Sequence, residues 1–95
     1  MTKTKLTKFD MANYLTTEKE IIGYLEAALE DNDPEFLPRA IGTVAKAIGM
    51  TKVARKAGVT RASLYKTFGE GGNPEFRTVI KVLGALGLKL NIARA

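Results

Sequence analysis

The chain has 95 residues, 45% of them hydrophobic, which is enough for one domain with a single core and too few for two. The absence of cysteine and histidine excludes disulfides and thiolate chemistry and removes the commonest general base and the commonest metal ligand. No apolar run is long enough to span a membrane, and no apolar stretch follows the charged N-terminus as it would in a signal peptide. We therefore expect a cytoplasmic protein that is not an enzyme, with no catalytic residues, no metal and no cofactor.

The net charge of +5 is unevenly distributed along the chain. Residues 1–47 carry 6 Lys/Arg and 8 Asp/Glu, a net charge of −2, whereas residues 48–95 carry 9 and 2, a net charge of +7. A basic half suits a polyanion such as nucleic acid, and an acidic half suits a different partner. Small proteins without such partners also show imbalances of this kind, so charge alone leaves both interpretations open.

The first strong element is a helix over Glu18–Asp31, within an N-terminal helical segment of residues 9–33. Thr17 and Glu20 have the spacing of a capping box, in which side chain and backbone exchange hydrogen bonds at a helix start. Behind this box, apolar residues recur at helical spacing. They are Ile21, Ile22, Leu25, Ala28 and Leu29.

The start of the second helix is harder to predict because two prolines, Pro34 and Pro38, lie close together. Asp33 is a candidate cap and Pro34 suits a first helical position. However, Pro38 would then fall just past the first turn, where its ring removes a hydrogen bond. The pattern therefore predicts a tight turn over Pro34–Leu37 and a helix that begins near Pro38 and runs to Ile48.

Two short helices follow in quick succession. Thr51 can cap the first, which runs through Ala57, and Gly58 permits a tight, left-handed turn. Thr60 can cap the second, which covers Arg61 to about Phe68.

The last helix and the tail complete a single domain of residues 1–95, with a helix-turn-helix core over residues 34–87. Asn73 is the expected cap of the last helix, Pro74 its first residue and Gly87 its end. In residues 88–92, apolar and polar side chains alternate with the period of a short strand, so we predict a C-terminal strand within residues 88–95. A frayed tail is the alternative.

Two short helices joined by a turn that contains glycine form the helix-turn-helix plan. Ala54 lets the helices approach, Gly58 makes the turn, and Leu64 anchors the second helix to the core. A helix fits the major groove of DNA, where arginine or lysine donates to guanine O6 and N7. The residues predicted to contact base edges are Arg61, Ala62, Tyr65 and Lys66. Those predicted to contact phosphates are Thr51, Lys52, Thr60, Ser63 and Asn73. The alternative is an ordinary helical hairpin with a solvated basic face.

From Phe9 to about Leu90 the chain resembles the addiction-module antidote family, the HigA-type antitoxins of bacteria. The resemblance is carried by Tyr24-Leu25-Glu26-Ala27-Ala28-Leu29, Gly49-Met50-Thr51, Ser63-Leu64-Tyr65-Lys66, Gly72-Asn73-Pro74 and Ala85-Leu86-Gly87-Leu88. It implies an all-α, five-helix, lambda-repressor-like domain that binds double-stranded operator DNA and represses its own operon. It also implies a partner, a small basic RelE-like ribonuclease toxin that the chain would neutralise in a type II toxin-antitoxin pair.

Three other functions compete with this interpretation. An enzyme could use paired carboxylates such as Glu26 and Glu30, but no histidine joins them and no loop has a calcium-site pattern. A pure protein-interaction module would explain the acidic half of the chain but would not explain the outward-facing basic side chains of Arg61 and Lys66. A transcriptional regulator without a toxin would use the same DNA-binding residues.

A homodimer is also expected, because helix-turn-helix proteins usually read two half-sites roughly 34 Å apart. The predicted strand Leu88–Ile92 is a candidate interface, since an unpaired edge invites a second copy. It could instead pair with Lys3–Lys8 or with a toxin.

Overall fold

The computed structural model describes residues 11–94. They form a 3-10 helix, Met11–Tyr14, followed by five α-helices: α1 (Glu18–Glu30), α2 (Phe36–Ile48), α3 (Met50–Ala57), α4 (Arg61–Thr67) and α5 (Phe76–Ala85). The expected all-α, five-helix architecture is confirmed. Within this part of the chain, no helix combines the length and the apolar character needed to cross a bilayer.

The core is built on α2. The inner face of this helix is fully buried and consists of Ala40, Ile41, Val44 and Ala45. α1, the 3-10 helix and α3 pack against α2, and α3 also contacts α4 and α5. Burial of a side chain such as Ile41 stabilises the fold by about 1.5–3 kcal/mol. α4 is therefore positioned by α3, which it contacts directly, and α3 in turn packs on α2.

The predicted capping box at the start of α1 is confirmed. The Thr17 hydroxyl accepts a hydrogen bond from the Glu20 N–H at 3.1 Å, and the Glu20 carboxylate accepts one from the Thr17 N–H at 3.0 Å. The same carboxylate also accepts from the N–H and the hydroxyl of Thr16, at 2.9 and 3.0 Å. Because these donors stabilise the charged form, the Thr16 N–H foremost, the pKa of Glu20 lies below its usual value.

α2 begins earlier than predicted, at Phe36 rather than near Pro38, with Glu35 as its N-cap. Pro38 is therefore the third helical residue, where a backbone N–H would have no partner inside the helix, so its absence costs little. Asp33 does not cap α2 directly. Its carboxylate accepts from the Glu35 N–H at 3.0 Å and shapes the turn before the helix. Phe36 packs edge-on against Tyr24 of α1, with 6.4 Å between ring centroids.

Two further predicted helix starts are wrong. α3 begins at Met50 with Gly49 as N-cap, so Thr51 is its second residue and makes no cap. A sharp junction is possible there because Gly49 adopts a positive φ of 128°. α5 begins at Phe76 with extended Glu75 as its N-cap, instead of at Pro74. The fixed φ of proline suits an extended chain as well as a first helical turn, so Pro74 does not determine the start.

The predicted C-terminal strand is also wrong: the described residues contain no strand. α5 ends before Gly87, as expected, and Leu88 turns back to donate its N–H to the Leu83 carbonyl at 2.9 Å. Leu88 and Leu90 are half-buried against the helical core, whereas Lys89 is exposed. The alternation over residues 88–90 therefore reflects inward and outward packing of a single chain on helices, whereas Ile92 is 99% exposed and packs on none of the described residues.

Candidate nucleic-acid interface

α3 and α4 are joined by a tight turn over residues 58–60. Gly58 ends α3 in the left-handed conformation, with φ 75° and ψ 30°, which glycine adopts without strain. The Val59 N–H donates to the Ala54 carbonyl at 3.0 Å and closes the end of α3. The Thr60 hydroxyl then accepts from the Ser63 N–H at 3.0 Å and starts α4. The predicted left-handed turn at Gly58 and the predicted cap at Thr60 are both confirmed.

The inner side of α4 is fixed to the core. Leu64 is fully buried, and Phe68, which follows the helix, is also buried. Gly42 of α2 lies so close to Phe68 that a Cβ atom on this glycine would come within 2.6 Å of the Phe68 carbonyl oxygen. This backbone-to-backbone contact, together with the Leu64 anchor, sets the position of α4 on the domain.

The four residues predicted to contact base edges all lie exposed on α4: Arg61, Ala62, Tyr65 and Lys66. Arg61 and Tyr65, one turn apart, contact each other. The guanidinium carbon of Arg61 lies 5.3 Å from the centroid of the Tyr65 ring, and its Nη2 lies 3.4 Å from the Tyr65 hydroxyl, to which it donates. A cation–π contact at an exposed site contributes about 0.5–1 kcal/mol, so the ring restricts the arginine without removing it from solvent.

The five residues predicted to contact phosphates are also exposed, but they do not form one cluster. Ser63 and Asn73 line the same shallow depression as Lys66, between α4 and the loop that follows it. Thr60 lies at the start of α4, next to Ser63. The remaining two, Thr51 and Lys52, lie in the first turn of α3, and Lys52 lines a different depression beside the end of α5.

The α3–α4 segment is basic, although the exposed carboxylate of Glu70 also lines the depression of Ser63, Lys66 and Asn73. Residues 50–67 contain five basic residues and no acidic ones: Lys52, Arg55, Lys56, Arg61 and Lys66. The sequence-based set omitted Arg55 and Lys56, although both are exposed on α3. The sequence could have indicated Lys56, since it lies one helical turn after Lys52 and therefore on the same side of α3. α1, by contrast, carries four acidic residues and one lysine, a net charge of −3.

Residues 11–94 contain no group of three or more Asp, Glu, His or Cys that could hold a metal ion. The lowered pKa of Glu20 has its cause in the cap of α1. The arrangement on α3 and α4 can instead present a positively charged, hydrogen-bond-donating helix to an anionic surface.

Comparison with known proteins places this domain in a family. Residues 5–94 match the model of a family described as "Probable addiction module antidote protein". A Haemophilus influenzae protein described as "Uncharacterized protein" is 41% identical over 91 residues, which cover 96% of this chain and 94% of that relative. No solved structure matches the chain significantly. On the family match and this relative, the chain belongs to the family of probable addiction module antidote proteins.

Proposed function

We propose that the chain is the antitoxin of a type II toxin-antitoxin pair, which binds operator DNA, represses its own operon and neutralises a RelE-like toxin. Family membership supports the antidote role. The DNA-binding role depends on one observation above all: the Arg61–Tyr65 pair is exposed on α4, within a segment that has five basic and no acidic residues. In this proposal the α3–α4 pair is a helix-turn-helix of the HigA type, and the protein acts in the cytoplasm.

The chemistry of α4 suits the major groove. Arginine donates two hydrogen bonds to guanine O6 and N7, and restriction of Arg61 by the Tyr65 ring lowers the entropy lost on binding. Lys66 supplies a second donor on the same helix. Ala62 is small enough for the helix to approach closely, and its methyl group can contact a thymine methyl. The residues that would bind phosphates and set the register of the helix are Thr51, Lys52, Thr60, Ser63 and Asn73.

We propose binding rather than catalysis as the whole activity of the chain. The chain has no histidine or cysteine. The four carboxylates of α1 are exposed, and the Glu20 carboxylate already accepts hydrogen bonds in the capping box of α1. Solvated carboxylates of this kind serve as a charged surface more readily than as an acid–base pair.

We also propose a homodimer, formed through α5. Phe76 and Ile80 lie one turn apart on this helix and are 71% and 42% exposed. One turn further, a Cβ atom on Gly84 would meet nothing within 4 Å, so a second helix could approach closely there. For such a dimer to read DNA, its two-fold axis would have to present the two copies of α4 to successive major grooves, roughly 34 Å apart.

Growth rescue tests the antidote role. The product of the neighbouring reading frame is expressed from an inducible promoter, with and without this chain. We expect growth arrest that co-expression relieves. In parallel, binding of the chain to its own upstream DNA is measured between about 50 and 200 mM salt, where phosphate contacts predict a steep loss of affinity. Rescue without DNA binding would favour a pure protein-interaction module, and DNA binding without rescue would favour a regulator that has no toxin.

A further inference from the structure

An open apolar groove lies beside α1 and is lined by no residue of α3 or α4. This α1 groove is lined by Ile22 and Leu29 of α1, Leu37 of α2, Leu83 of α5, and Leu88 and Leu90 of the C-terminal segment. Four segments of the chain therefore meet here and leave a concave apolar surface between them.

The two α1 side chains at the mouth of the groove are not core residues. Ile22 is 37% exposed and Leu29 is 52% exposed, whereas Leu25 and Leu83 beneath them are buried. A second depression continues the surface along α1 from Ile22 to Glu18. A continuous apolar surface with a polar rim is typical of a protein–protein contact, because water disfavours its exposure.

The rim of the α1 groove carries two carboxylates of α1. Glu26 lines the groove, and Glu18 lines its continuation. Neither carboxylate forms an ion pair with another of the described residues. The salt bridge found in this part of the chain joins Arg39 and Asp33 instead. Lys19 also lines the continuation, and Lys89 lies on the opposite rim, so the negative charge belongs to α1 as a whole, which has a net charge of −3.

From these features we propose that the α1 groove is the docking site of the toxin, and that a basic amphipathic helix of the toxin occupies it. This inference rests on the proposed antidote function. Apolar side chains of the helix would enter between Ile22 and Leu29, as in other helix-in-groove complexes. Its Lys or Arg side chains would face Glu18 and Glu26, and the net charge of −3 on α1 would accelerate association with a basic protein. The groove is lined by no residue of α3 or α4, so the proposal predicts that toxin binding leaves the DNA-binding residues uncovered.

Affinity for the purified product of the neighbouring reading frame tests the apolar part of the site. In the full-length chain, the double variant Ile22→Ser/Leu29→Ser is expected to bind at least about tenfold more weakly, as for loss of central interface residues. Ala27→Ser is the matched control, because Ala27 is exposed on α1 but does not line the groove. It should bind like the parent, and all variants should retain DNA binding.

Charge reversal tests the acidic rim. Glu26→Lys and Glu30→Lys change the net charge equally on the same helix, but Glu30 does not line the groove. We expect Glu26→Lys to accelerate dissociation as well as slow association, and Glu30→Lys to affect mainly association.

The outcomes separate the two proposals. If the parent chain does not bind the neighbouring product, both the antidote function and the docking site are refuted. If the parent binds and the groove variants bind equally well, the antidote function stands and the α1 groove is the wrong site. If the groove variants lose self-association in sedimentation, a second copy of the chain occupies the groove and the inference is overturned.

Discussion

Replacing Gly42 by alanine should destabilise the protein, although alanine is the better helix former. Gly42 lies in the middle of α2, where the exchange alone would stabilise the helix by about 1 kcal/mol. The added Cβ atom, however, would lie 2.6 Å from the Phe68 carbonyl oxygen and 3.3 Å from the Phe68 Cβ atom. The closer neighbour is backbone, so the clash can be relieved only by moving the end of α4 away from α2.

The gain in helix propensity and the clash with Phe68 have opposite effects on the free energy of unfolding, and the clash should be the larger. Overpacking in a well-packed core costs about 1–3 kcal/mol, and contact with backbone places Gly42→Ala at the upper end. After the gain in helix propensity, the expected net loss is about 2 kcal/mol in the free energy of unfolding. For a domain of this size, that corresponds to a fall in Tm of about 8–16 °C.

Gly23 supplies the matched control. It lies within α1, and a Cβ atom there would meet nothing within 4 Å. Gly23→Ala should therefore stabilise the protein by about 0.5–1 kcal/mol. Urea unfolding followed by circular dichroism measures both variants, and Gly42→Ala should also weaken DNA binding because α4 shifts. Stabilisation of both variants would refute the close approach of α2 and α4 and the argument that it positions α4.

Two other predictions concern the α1 cap and the α5 face. Because the folded-state pKa of Glu20 lies below its ordinary value of 4.5, the ionised carboxylate stabilises the fold above that value, and the effect is lost as pH falls through the lowered pKa. Glu20→Gln should thus unfold at lower denaturant than the parent at neutral pH, and the difference should shrink in acid; a constant difference would contradict the role of the charge. Phe76→Ser should shift the protein from dimer to monomer in sedimentation without loss of helix content, because the side chain is 71% exposed in a single chain. An unchanged mass would place the dimer interface elsewhere.

The parts of the fold that sequence reasoning predicted correctly are those determined by local chemistry. The capping box of Thr17 and Glu20, the turn at Gly58 and the cap at Thr60 each depend on a few neighbouring residues, and each was found where expected. The exposure of the predicted DNA-binding residues followed from the same reasoning, because buried Leu64 fixes which side of α4 faces outward. Their contacts with DNA remain predictions.

The features that sequence reasoning missed depend on packing between distant segments. Pro38 is tolerated because α2 starts two residues earlier. Leu88 and Leu90 alternate with Lys89 because the tail packs there on helices rather than on another strand. The apolar stripe of α1 did not show which of its residues are buried, since its helical period assigns Ile22 and Leu29 to the same inner face as Leu25. α2 covers only part of that stripe, and the exposed remainder forms the mouth of the α1 groove.

The central claim, that α4 reads the base sequence of operator DNA, is tested most directly by comparing Arg61→Ala with Lys52→Ala. The affinities of both variants and the parent are measured on the upstream operator and on random DNA of the same length and at the same salt concentration. Arg61→Ala should lose about 1–3 kcal/mol on the operator and much less on random DNA, with relaxed discrimination at one base pair. Lys52→Ala should weaken binding to both DNAs about equally, as loss of a phosphate contact does. If Arg61→Ala bound operator and random DNA as the parent does, α4 would not be the reading helix.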